Sequence, residues 1–123
     1  MPNKNLLLIG AIGYSILLFI LSFINFDEFP KLGSENDDKI LHIFAYIVFV
    51  IIWYYTLFSL LVEQVFLKVI LGAFIYGIII EVLQGILSTH RQFEISDLLA
   101  NGIGIAIAVL IIKAIQRLIV KKI

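Results

Sequence analysis

The sequence predicts an all-α fold, an integral membrane bundle of four antiparallel transmembrane helices with both termini in the cytoplasm. Three observations predict it. Four apolar runs, at about 6–26, 39–61, 65–87 and 98–118, are each near the length of about 20 residues that crosses a bilayer. Hydrophobic residues make up 62% of the 123, where a soluble domain has roughly 45–50%. A chain this short buries only part of its surface, so the bilayer is the natural solvent for the excess, and mean hydropathy is +1.10. Finally, lysine and arginine are unevenly divided between the two sets of polar connections. One side would carry Lys4, Lys68, Lys113, Arg117, Lys121 and Lys122, the other Lys31, Lys39 and Arg91. The positive-inside rule puts the richer side, with both termini, in the cytoplasm.

The first run, Leu6 to Phe26, follows Lys4 as a signal peptide would. It is too long for a signal core and no small-x-small cleavage site follows, so it reads as an uncleaved span. Gly10, Gly13 and Ser15 offer it a small-residue patch for close helix contact. Residues 27–38 are polar and contain the helix breakers Pro30 and Gly33. Ser34, Asn36 and Asp37 are candidate caps for the second run.

That run, 39–61, carries Lys39, His42 and Tyr46 near its start and Trp53, Tyr54 and Tyr55 further on. The late aromatics suit either an interfacial belt or a neighbouring helix. A short turn around Glu63 and Gln64 leads into the third run, 65–87. There Lys68 can snorkel to water, Gly72, Ala73 and Gly77 give a small face, and Glu81 and Gln84 lie near the end. A second polar loop, 88–97, holds His90, Arg91 and Glu94. In the fourth run Ala100, Gly104 and Ala108 recur every four residues, a packing stripe. Lys113, Arg117 and Lys121 share another face. The whole, 1–123, reads as a single domain.

The polar residues inside these runs carry the functional signal. Asp38, His42 and Tyr46 recur every four residues, Asp97 and Asn101 are four apart, and Glu81 and Gln84 three apart, so each set lies on one helical face. A charge near hydrocarbon costs roughly 2.5–3.5 kcal/mol on insertion scales, so such residues tend to mark sites. At 1.5 Å per residue, Tyr46 and Glu81 sit roughly 10 Å below the outer surface and His42, Gln84 and Asn101 roughly 5 Å. Converging, they would make a polar pocket that opens outward.

The N-termini of the second and fourth helices would point at this pocket and favour an anion, with Lys39 and Arg91 adding positive charge. His42, Glu81 and Asp97 form the candidate proton-transfer set. Asp38, Lys39, Tyr46, Gln84, Arg91 and Asn101 are candidate substrate contacts. Plainer roles stand beside these: Glu81 as a packing residue, Asp97 as a helix cap beside Ser96, Gln84 and Asn101 as interhelical glue. His42, Glu81 and Asp97 also carry metal-binding atoms, but no standard ligand spacing supports a metal site and none is expected. No cofactor is expected either.

The pattern Asp38-Lys39-x-x-His42-x-x-x-Tyr46, then Glu81-x-x-Gln84, Arg91 and Asp97-x-x-x-Asn101-x-x-Gly104 resembles the VanZ-like family over about residues 38–104. Ile43 stands directly after the histidine, where phenylalanine is common in that family. The family's namesake is an accessory protein for resistance to teicoplanin, a lipid-bearing glycopeptide antibiotic. The resemblance implies a multi-pass protein of the prokaryotic plasma membrane whose partners are membrane lipids or a lipid-linked anionic substrate.

Zero formal net charge gives no basic surface for nucleic acid, and the absence of cysteine removes disulfides and thiolate chemistry. Self-association is left open. Three functions compete: a lipid-binding or envelope-modifying protein, an enzyme using His42 and Glu81 as acid–base partners, and a small proton-coupled multidrug transporter working through Glu81. Transport sites usually lie at the bilayer midplane, which counts against the last.

Overall fold

Leucine, isoleucine, valine and phenylalanine fill long segments free of proline, and in hydrocarbon a single such segment satisfies its own backbone groups by forming a helix. The computed structural model, which describes residues 3–23, 37–87 and 95–122, has four: α1 (Lys4–Ser22), α2 (Asp37–Ser59), α3 (Val65–Leu87) and α4 (Ile95–Lys122). Each is long and apolar enough to span a membrane. There is no strand among the described residues.

The α3 limits are those expected from the sequence. α1 starts at Lys4, where Asn3 caps it by accepting from the Asn5 amide. α4 is longer than the apolar run at both ends, because polar residues continue a helix once its first turns are set. The candidate caps Ser34 and Asn36, the loop residues His90, Arg91 and Glu94, and Lys31 lie outside the described residues.

α2 is the hub, and its interface with α4 is the most extensive. The α4 stripe explains this. Ala100, Gly104, Ala108 and then Ile112 are all buried. A Cβ on Gly104 would stand 2.5 Å from the Ile43 carbonyl oxygen, so only glycine allows the backbones to approach so closely. The core around this seam holds Tyr46, Phe49, Val50, Tyr54, Val69, Ala73, Ile105, Ala108 and Ile112.

Hydrogen bonds tie α1 and the aromatics to the bundle. The Tyr14 hydroxyl donates to the Ala45 carbonyl at 2.6 Å, and Trp53 Nε1 donates to Ser15 Oγ at 2.9 Å. Tyr76 donates to the Ser15 carbonyl. Gln116 Nε2 donates to the buried Tyr54 hydroxyl at 2.5 Å. Trp53 and Tyr54 thus face neighbouring helices, and Tyr55 stands edge-on to Tyr54 with ring centroids 5.2 Å apart.

Of the small patch expected on α1, Ser15 makes helix contacts and the two glycines do not. A Cβ on Gly10 or Gly13 would meet nothing within 4 Å, and the same is true of Gly72 on α3. The α1 contact runs instead through Ala11, fully buried, and Ser15.

The α2–α3 turn is closed by a cap with an unusual residue. Val62 N–H donates to the Leu57 carbonyl and Leu61 N–H to the Phe58 carbonyl, both at 3.1 Å. This is the Schellman arrangement, whose left-handed position normally takes glycine. Leucine occupies it here, at φ 61°, with its side chain exposed. Leu61→Gly is expected to stabilise the bundle by about 1 kcal/mol, through relief of the Cβ clash. Equilibrium unfolding in mixed micelles would show it, and a loss of stability would contradict the assignment.

Candidate functional site

The seam between α2 and α4 places their first turns side by side. Lys39 Nζ donates to Asp97 Oδ1 at 2.5 Å, an ion pair joining the two helix starts. One turn further on, His42 Nδ1 and Asn101 Oδ1 are 3.1 Å apart. An amide oxygen only accepts, so Nδ1 carries a hydrogen in this contact, and in the neutral ring the lone pair is on Nε2. Asn101 therefore fixes both the imidazole tautomer and the ring orientation.

α3 completes the group from the other side. Glu81 is fully buried, and Gln84 and Asn101 nearly so. One ligand atom each from His42, Glu81 and Asp97 fall within 4.8 Å of one another. The proton-transfer set expected from the sequence is thus brought together, by three separate helices. Tyr46 lies beneath it, 2% exposed. Lys39 and His42 are half-buried, and the recess reaches the surface along them.

Two sequence readings change. α4 begins at Ile95, so Asp97 lies inside its first turn and not at a cap before it. Its carboxylate engages Lys39 while still facing the positive end of the helix dipole. Lys39, read as a general attractor of anions, has a specific partner. Gln84 Nε2 donates to the Ser22 carbonyl of α1 at 2.5 Å, so that amide nitrogen fastens α3 to α1, as interhelical glue would. Arg91 lies outside the described residues. Asp38 falls in the first turn of α2, but its side chain lies outside them too.

Gly77 belongs to the site although it has no side chain. A Cβ there would stand 2.9 Å from Asn101 Nδ2 and 3.4 Å from the Tyr46 hydroxyl. The obstructed group is the tip of a side chain, which can swing away, so the site would suffer more than the fold. Gly77→Ala is expected to displace Asn101 and release His42. The cost should be about 1 kcal/mol of stability, the worth of one hydrogen bond, with loss of binding in the recess. Thermal unfolding and ligand binding on the same preparation check both halves; parental binding would contradict it. Periodicity flagged Gly77 only as part of a small face.

A cavity of about 390 Å³ opens between α1 and α2, against the recess. Leu18, Leu21, Leu41 and Phe44 line it, with His42 and Tyr46 forming the wall it shares with the polar group. Its volume falls in the range of small-molecule sites, roughly 300–1,000 Å³. An apolar slot thus ends on a polar cluster, a shape that suits an amphiphile.

Comparison with known proteins agrees with the pattern of residues. The family model described as VanZ/LLP1 matches residues 11–117, which take in the second half of α1 and every candidate site residue. No curated protein matches the chain, and no solved structure does. With four membrane-length helices and a match along most of its length, this multi-pass membrane protein belongs to the VanZ/LLP1 family.

Proposed function

We propose that this protein is a VanZ-like protein of the prokaryotic plasma membrane that receives an envelope lipid or lipid-linked precursor in a recess opening outward. The observation that carries this reading is the gathering of three ionisable side chains, His42, Glu81 and Asp97, within 4.8 Å on helices long and apolar enough to span a membrane. Intramembrane ionisable groups are costly and tend to mark sites. The adjoining slot of about 390 Å³ supports an acyl or prenyl chain as the second half of the ligand.

In this reading the headgroup rests at the paired starts of α2 and α4, where helix dipoles favour an anion. Among the described residues, Lys39 supplies positive charge at this place. His42 Nε2, with its lone pair exposed by the Asn101 contact, can take up or return a proton if the bound headgroup is modified. Glu81 can hold that proton in a site shielded from bulk water. The acyl tail of a lipid-bearing glycopeptide has the same two-part chemistry as such a lipid. The polar group lies toward the starts of α2 and α4, and the middle of both helices is apolar core. That position favours a headgroup site over a midplane transport site.

Native mass spectrometry tests the reading. The protein would be released from nanodiscs containing phosphatidylcholine with a minor fraction of phosphatidylglycerol or a polyprenyl phosphate. One anionic lipid should be retained per chain, and His42→Phe, Glu81→Gln and Asp97→Asn together should abolish its retention while the fold persists. Equal retention by the triple variant would overturn the proposal. Net proton or cation flux in vesicles would instead favour a transporter.

A further inference from the structure

We infer that His42, Glu81 and Asp97 form a binding site for one divalent transition-metal cation. The inference concerns the recess just described, and its bearing on substrate rests on that reading. Local spacing could not reveal such a site, because each ligand comes from a different helix. The structure brings one imidazole nitrogen and two carboxylate oxygens within 4.8 Å of one another, with Glu81 fully buried and Asp97 6% exposed. Donors about 2.0–2.2 Å from one tetrahedral ion lie roughly 3.3–3.6 Å apart, so the three side chains would close around the ion by up to about 1.5 Å, a movement within the reach of side-chain rotation.

The surroundings are those of a metal site. Metal-bound histidines usually donate their other ring N–H to an oxygen that fixes the ring. Asn101 Oδ1, 3.1 Å from His42 Nδ1, does so here and leaves Nε2 as the donor, where a bound ion would take the place of the proton. Asn101 is in turn held against Gly77. Glu81 and Asp97, the latter paired with Lys39, place two carboxyl groups at a site already assigned to an anionic headgroup. A divalent ion held by these side chains would supply positive charge for the headgroup phosphate, and Lys39 would then turn from Asp97 toward the phosphate. One imidazole with two hard oxygen donors suits Mn²⁺, and the imidazole keeps Zn²⁺ competitive.

The test is titration of the purified full chain in phosphatidylcholine nanodiscs with Mn²⁺, followed by electron paramagnetic resonance, and with Zn²⁺, followed by elemental analysis. One ion per chain is expected. His42→Ala, Glu81→Gln and Asp97→Asn should each weaken binding tenfold or more. Lys39→Met, which frees Asp97 from its competitor, should tighten it at least threefold, and this variant keeps the test decisive if a ligand variant fails to fold. Three results would overturn the inference: no stoichiometric ion, binding unchanged in the ligand variants (as from the acidic loop 27–38), or no tightening in Lys39→Met. Metal is measured without anionic lipid, and lipid retention without added metal, so either reading can fail alone.

Discussion

Replacing Glu81 by glutamine is expected to cut retention of an anionic lipid at least tenfold, about 1.4 kcal/mol, while the helices stay inserted and packed. Glutamine keeps the length and shape of a fully buried side chain. What it removes is the ability to hold a charge or pass a proton beside His42 and Asp97. Were Glu81 only a packing residue, the substitution would leave binding intact, because an amide can hydrogen-bond in the same space. Retention in nanodiscs, alongside a folding check by size-exclusion chromatography, separates these outcomes.

Gly104→Ala should be the most damaging single substitution in the bundle. Its Cβ would lie 2.5 Å from the Ile43 carbonyl oxygen and 3.1 Å from Tyr46 Cβ. Neither can move without displacing α2 itself. Overpacking of this kind costs about 1–3 kcal/mol, and a backbone obstacle puts it near the upper end. The effect should also reach the site, since Gly104 lies less than one turn beyond Asn101. Gly10→Ala is the control: its added methyl meets nothing within 4 Å, and stability should hold or rise slightly with helix propensity. Unfolding curves of the two variants that coincide would contradict the close α2–α4 seam.

Much of this arrangement was legible in the residues, for identifiable reasons. Apolar length set the four helices, because a bilayer permits little else. The four-residue recurrence of Ala100, Gly104 and Ala108 named the packed face of α4, all of it buried. The same recurrence put His42 with Tyr46, and Asp97 with Asn101, on single faces. Partners were harder to read. Nothing in the sequence says that Lys39 meets Asp97, 58 positions away, or that Gln84 fastens onto the Ser22 carbonyl. Those contacts depend on how far each helix is rotated, which the crossing of backbones decides. Gly10 and Gly13 show the converse: small residues permit a close approach, but whether one occurs depends on the neighbour. The start of α4 was misplaced because hydropathy locates apolar runs, and Ile95, Ser96 and Asp97 precede the run.

The central claim is that the shared recess of α2, α3 and α4 opens on the outer face of the membrane. A chain with no native cysteine permits its most direct test, labelling of single-cysteine variants in intact cells with a membrane-impermeant maleimide. Ser96→Cys, exposed at the mouth beside Asp97, should label from outside. Glu63→Cys, exposed in the α2–α3 turn, should label only after permeabilisation. The reverse pattern would put the recess in the cytoplasm and contradict the account.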